Sequence, residues 1–334
     1  MTSFFGRTPL SGPVGLIINP IAGTDLRRLT STAAFMDNNM KVRLARSVVG
    51  GMVGVGIKEF AVMPDYLGIY RSLIDSLSST GIEISPLDME AEGKPEDTRV
   101  AVRELKKLGS PLIVSFGGDG TVRIIAEESG DTPILPISTG TNNTIPYFTE
   151  GTVAGLAAGY FLKGLVEPDR ALVRAKKLVI EVNGKEEGIG LVEVSMTNYP
   201  FKGAAMIDVS RVLDSVISIA NPGGIGVSSV GGMITSLGMS SRSALRIVFG
   251  GSKKVRAVVF PGVVKEVGIE RFELVPVGAE IELMRGQYIE ADGERLFHVA
   301  ENDRVTVEVS KDGPFLIDVP SILNEVTSRG IALL

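Results

Sequence analysis

Asp119 stands in the run Val114-Ser115-Phe116-Gly117-Gly118-Asp119-Gly120-Thr121, where an apolar stretch ends in glycines and a helix-like stretch begins. Glycine lets the backbone approach a ligand, and a helix start offers unpaired N–H groups with the positive end of its dipole. The segment is therefore a phosphate-binding arrangement. A carboxylate there does not itself attract phosphate. It serves to orient or deprotonate an attacking hydroxyl, or to hold Mg2+ beside the phosphates. The plain alternative is a tight strand-to-helix turn that needs glycine for its shape alone. Two more turns share this character: Asn19-Pro20-Ile21-Ala22-Gly23 and Ser138-Thr139-Gly140-Thr141-Asn142-Asn143. Each follows a predicted parallel strand, and open α/β sheets bind ligands at the carboxyl edge. Three such turns on one edge point to a nucleotide cleft.

The elements that must carry these turns alternate along the first half. Val14–Asn19, Glu59–Met63, Ile82–Leu87, Leu112–Phe116 and Pro133–Ile137 read as strands. Met40–Val55 (weakened by Gly50-Gly51), Pro64–Ser79, Glu96–Leu108 and a stretch ending near Ser129 read as helices. That alternation predicts a doubly wound α/β nucleotide-binding domain over residues 1–150, with helices on both faces of a parallel sheet. Beyond residue 165 the pattern becomes β-like. Leu178–Val182, the turn Asn183-Gly184 and Gly190–Thr197 read as strand, turn and strand. Ala244–Phe249, Arg256–Val259, Glu280–Met284, Gln287–Ala291 and Arg304–Val309 continue the series, with turns at Asp292-Gly293 and Asp312-Gly313. The expectation is an antiparallel β-sandwich over 165–315, with helix only around Phe201–Ile219 and at the C-terminus. Residues 316–334, with a helix at Pro320–Thr327, are expected to pack back on the first domain.

Composition narrows the chemistry. The 334 residues are 44% apolar and 22% charged, enough to bury a core and too apolar for a disordered chain. The net charge of −5, without basic blocks, argues against gripping a nucleic-acid backbone. With no cysteine, disulfides, zinc–thiolate sites, iron–sulfur clusters and thiol catalysis are excluded. The lone His298 excludes an HExxH zinc site, so any metal must be held by oxygen. Met1–Arg7 lacks the pattern of a signal peptide. Ser215–Ser241 is uncharged for 27 residues, but 13 of them are Gly or Ser and Pro222 interrupts the run. It is read as a flap over a ligand, the alternative being a glycine-rich connection. No membrane span is expected, and the chain reads as a cytoplasmic homo-oligomer that binds small nucleotides.

Asn-Pro-x-x-Gly, Gly-Gly-Asp-Gly-Thr and an Asn-bearing turn about 20 residues further on resemble the superfamily of NAD kinases, diacylglycerol kinases and sphingosine kinases. Val14–Pro20 with Asp25–Arg28, Asn39–Val42, Ile137–Asn143, Phe201–Ala204, Ile225–Ser228, Asp292–Arg295 and Asn302–Val305 are similar to its ATP-NAD kinase-like family, in the AcoX-like branch. The resemblance implies two domains with a cleft between them, and a Mg2+-dependent phosphotransferase that uses ATP or polyphosphate. It implies that Asp119 acts on the attacking hydroxyl, most simply that of NAD. It further implies that Gly117, Gly118, Gly120 and Thr121 cradle phosphates, and that Asn142 and Asn143 contact nucleotide.

Two segments depart from or extend the pattern. Where NAD kinases carry a Thr-Gly-Ser-Thr-Ala-Tyr-like dinucleotide contact, this chain has Gly226-Val227-Ser228-Ser229-Val230-Gly231-Gly232. Asp292-Gly293-Glu294 matches a lipid-kinase triplet whose glutamate serves as base, and reads equally as a hairpin turn. Ser228 and Asp292 are thus candidate second-domain contacts, and Glu294 a candidate base. Arg27, Arg28 and Arg123 lie near the turns and could neutralise phosphate, but read rather as solvated surface, and His298 reads as a packing or surface residue. The competing functions are a kinase of a lipid or other hydroxylated metabolite and a nucleotide-binding regulator without turnover.

Overall fold

The computed structural model describes residues 12–23, 36–78, 80–140, 143–146, 149–198 and 209–332. Its first half alternates strands and helices: β1 (Val14–Ile18), α1 (Asn38–Val53), β2 (Glu59–Val62), α2 (Ile69–Leu77), β3 (Glu83–Pro86), α3 (Pro95–Lys107), β4 (Ile113–Gly117), α4 (Asp119–Ser129) and β5 (Ile134–Ser138). Helix α5 (Gly151–Leu162), the short α6 (Pro168–Ala171) and β6 (Leu172–Arg174) lead away from it. Then come β7 (Lys177–Val182), β8 (Lys185–Gly190), β9 (Glu193–Thr197), β10 (Val212–Ile217), α7 (Val227–Gly232), β11 (Ser243–Phe260) and β12 (Val263–Pro276). The chain ends with β13 (Glu280–Glu282), β14 (Tyr288–Ala291), β15 (Glu294–His298), β16 (Val305–Ser310), β17 (Phe315–Ile317) and α8 (Val319–Ser328).

The first sheet runs β3-β2-β1-β4-β5-β17-β6, parallel except where β6 meets β17. β1, β4 and β5 are buried at every position, as strands covered on both faces must be. One face packs α1, α2, α5 and α8, and the other packs α3 and α4. Helix α2 starts later than the apolar pattern predicts. The Asp65 carboxylate accepts the amides of Leu67, Ile69 and Tyr70, so Pro64–Gly68 forms its capping loop. Two antiparallel sheets, β12-β11-β10-β9-β14-β15 and β13-β16-β7-β8, enclose a second core and form the sandwich. Its turns at Asn183-Gly184 and Asp292-Gly293 both place their residues at positive φ, as two-residue hairpins demand.

Several expectations are corrected. Val212–Ile217 is a central strand, not helix, because its β-branched residues pair with β9 on one side and β11 on the other. Its buried Asp214 is tied to Arg246 at 2.7 Å. Arg256–Val259 is the far end of an 18-residue strand whose partner, β12, carries too many exposed charges to show an apolar pattern. Ser215–Ser241 is packed rather than a flap. Its start belongs to β10, Ala220 bridges Leu237, and Val227 and Val230 of α7 are buried against β11. Among the described residues no helix is long and apolar enough to cross a membrane.

Helices α1 and α5 cross through glycine. A Cβ on Gly155 would overlap the Val48 carbonyl, and one on Gly51 would overlap the Thr152 carbonyl, whereas Gly50 faces open space. Gly155→Ala should therefore cost about 1–3 kcal/mol of stability, while Gly50→Ala should add about 0.5–1 kcal/mol by removing a helix glycine. Urea unfolding of both variants checks the crossing; similar behaviour of the two would contradict it.

Candidate active site

Strand order reverses between β1 and β4, so a crevice opens beyond their carboxyl ends. The turns that follow them touch. Asn19 Nδ2 donates to Thr121 Oγ1 at 2.9 Å, while Asn19 Oδ1 accepts the amides of Ile21 and Ala22. Gly23 closes this turn at φ 69°. Behind it, the wholly buried Lys41 donates from Nζ to the carbonyls of Asn19 (3.1 Å) and Pro20 (2.7 Å) and to Asn38 Oδ1 (3.3 Å). The turn after β5 closes on the same point. Thr139 N donates to the Gly117 carbonyl, and Asn143 Nδ2 donates to Ser138 Oγ at 2.6 Å. The Asn143 amide oxygen lies only 2.7 Å from where a Cβ on Gly118 would sit and 2.8 Å from one on Gly140. A Cβ on Gly117 would strike Thr121. Thr141, Asn142, Arg27, Arg28 and Phe201–Ala204 lie outside the described residues.

Asp119 opens α4 and is almost wholly buried. Its carboxylate accepts the amides of Thr144 (2.8 and 3.1 Å) and Ile145 (2.8 Å). It lines a cleft with Thr144, Glu193, Gly226, Val227, Asp292 and Gly293. A second cleft, on the other side of the same turn, is lined by Asn19, Pro20, Ile21, Met63, Tyr66, Thr121 and Glu294, among others.

Asp292-Gly293-Glu294 is a hairpin tip that lines both clefts, Asp292 and Gly293 the first and Glu294 the second. Asp292 Oδ1 accepts the amides of Leu191 (3.0 Å), Val192 (2.7 Å) and Glu193 (3.2 Å). Burial nevertheless raises its pKa to about 6, against the opposing pull of Arg123 and those amides. Glu193 is raised well above the usual carboxylate range, by burial first and then by the Asp292 and Asp119 carboxylates. Glu193 was not among the sequence candidates. Its signal was a lone charge inside the apolar run Leu191-Val192-Glu193-Val194.

Arg123 is the main correction. It is 4% exposed and not a surface residue. Its guanidinium pairs with Glu127 at 2.9 Å and with Glu294 at 2.9 Å, and its Nε lies 3.9 Å from Asp292. Glu294 is therefore not an unencumbered base. Ser228 is also corrected: it is buried, donates to the Ile219 carbonyl at 2.7 Å and lines neither cleft, whereas Gly226 and Val227 line the first. His298 packs edge-on against Tyr288 at 5.2 Å. Among the described residues no group of three acidic or histidine side chains is arranged to hold a metal. Mg2+ commonly binds through one or two carboxylates together with nucleotide phosphates rather than in an all-protein cage.

Residues 14–164 match the ATP-NAD kinase N-terminal domain, and residues 176–312 match the acetoin catabolism protein X C-terminal domain. Acetoin catabolism protein X of Cupriavidus necator is 29% identical over 326 residues, covering 93% of this chain and 91% of that protein. Yeast NADH kinase, solved in complex with NADH, is similar in fold at a TM-score of 0.53 and 12% identity, over 96% of this chain and 87% of that one.

The raised Asp292 has a consequence for stability. A carboxyl whose folded pKa exceeds its free value stabilises the fold fully below the free pKa, and that contribution is lost as pH rises through the folded one. For Asp292 the window runs from its ordinary 3.8 to about 6. Asp292→Asn keeps an Oδ1 acceptor for the three amides but does not titrate. In thermal melts, wild type should lose stability relative to this variant between about pH 4 and about pH 6; a difference that stayed flat or grew would refute the assignment.

Proposed function

We propose that this chain, an AcoX-like member of the NAD kinase family, transfers the terminal phosphoryl group of ATP to a hydroxyl of an NAD-type nucleotide, forming NADP from NAD. The observation that carries this reading is the place of the Gly117–Thr121 turn, which forms part of both clefts: Asp119 faces one, and Thr121 faces the other beside Asn19. Donor phosphates in the second cleft and an acceptor hydroxyl in the first meet across that turn.

The chemistry follows from the positions. The acceptor oxygen attacks the terminal phosphorus and its proton passes to an Asp119 oxygen. The bond from that phosphorus to the bridging oxygen breaks, and ADP leaves with the electron pair. Phosphoryl transfer needs chiefly positioning and charge stabilisation, which backbone amides and the start of α4 supply. Mg2+, as part of MgATP, belongs to the substrate. The half-exposed Ile21 and Tyr66 give the second cleft an apolar, aromatic rim that suits a nucleobase, which favours ATP over polyphosphate as donor. The acidic lining of the first cleft suits a hydroxyl-bearing group rather than a phosphate. A regulator without turnover is the second reading, favoured by the two amides that Asp119 already holds.

A coupled NADPH-forming assay decides between them. Wild type should turn over with ATP, and Asp119→Asn should lower kcat by about 10²–10⁴-fold with nucleotide affinity retained in calorimetry. Tight nucleotide binding without transfer to any acceptor would establish the regulator, and normal turnover by Asp119→Asn would remove Asp119 from the mechanism.

A further inference from the structure

The Glu294 carboxylate lies over Cα of Gly120, in the space that a side chain there would occupy. Gly120 is in the first turn of α4, whose N-cap, Gly118, provides no side-chain cap. A carboxylate thus sits where the positive end of a helix and a glycine gap would receive an anion. The same carboxylate accepts a hydrogen bond from an Arg123 terminal nitrogen at 2.9 Å.

Arg123 is surrounded by three carboxylates that differ in freedom. Asp292 has a fully buried side chain held by three amides, and Glu127 also holds Arg99. Glu294 has a side chain 47% exposed and lines the second cleft. The Arg123 Nε, itself buried, has no hydrogen-bond partner. A single corner of this network therefore opens toward the cleft.

We propose that Glu294 is a resident stand-in for substrate phosphate, seated at Gly120 and on Arg123, and that a nucleotide phosphate enters by displacing it. In the loaded site Arg123 becomes a phosphate ligand, and Glu294 swings out toward solvent. The identity of the anion rests on the phosphotransferase reading; the exchange itself rests on the contacts of Glu294. Removing the Glu294 charge removes a competitor, so binding of phosphate-bearing ligands improves while binding of an uncharged nucleoside does not change.

Calorimetric titration of pyrophosphate and adenosine tests the exchange. Glu294→Gln should tighten pyrophosphate binding by about fivefold or more, the scale of one like charge removed at close range, and leave adenosine unaffected. Arg123→Gln should weaken pyrophosphate and erase most of that gain in the double variant. Should Arg123→Gln fail to fold, the half-exposed Glu294 variant decides alone: equal or weaker pyrophosphate binding overturns the proposal. Loss of kcat in Glu294→Gln with pyrophosphate affinity unchanged would overturn it too, by making Glu294 a base. If Glu294→Gln gains pyrophosphate affinity although wild type transfers no phosphoryl group, the exchange stands and the kinase reading falls.

Discussion

The site depends on backbone lying against polar side chains where no Cβ intervenes. Gly117 leaves room for Thr121, Gly118 and Gly140 for the Asn143 amide, and Gly120 for Glu294. The gaps are filled from three directions, by the helix, the turn after β5 and the sandwich hairpin. The turn after β4 is therefore a point at which the two halves of the molecule meet, beside the apolar cluster that joins Val122 and Ile125 to Ile189 and Leu191. Its ties are ordinary hydrogen bonds, each contributing about 1 kcal/mol net. What they supply is position.

Charge around this point is layered. Two cations, Lys41 and Arg123, are buried behind the turns, and carboxyls line the open side. Burying an ion is less costly when its donors are satisfied or when opposite charge is near. Lys41 meets the first condition with carbonyl oxygens, and Arg123 meets the second with Glu127 and Glu294. Arg123 also joins α4 of the first sheet domain to the β14–β15 tip of the second, so the spacing of the clefts and the charge on Asp292 are set together.

Much of the fold was readable because parallel strands buried on both faces leave continuous apolar runs, and because Asn183-Gly184 and Asp292-Gly293 have a local backbone reason to turn. The three site turns were readable for the same local reason. Helix α5 was missed: its glycines, which weaken a helical pattern, are there for the crossing with α1. β12 was missed because Val267, Ile269 and Val275 are its only buried residues, too few in 14 to show an alternating pattern. Arg123 was misjudged because its sequence neighbours do not tell a buried charge from a solvated one, and Glu193 was overlooked although the apolar residues around it pointed to burial.

The order of residues alone determined which turns carry glycine, which runs must be covered on both faces and what chemistry the absence of cysteine forbids. Those properties follow from backbone sterics, side-chain polarity and atom type, and they act over a few neighbouring residues. Only the tertiary structure decided that Glu294, 171 positions from Arg123, is its partner, that Asp292 and Glu193 share a cleft with Asp119, and that Ser228 turns away from it. Ion pairing and desolvation depend on distances in space, and those are settled only when the sandwich hairpin is laid against the edge of the parallel sheet.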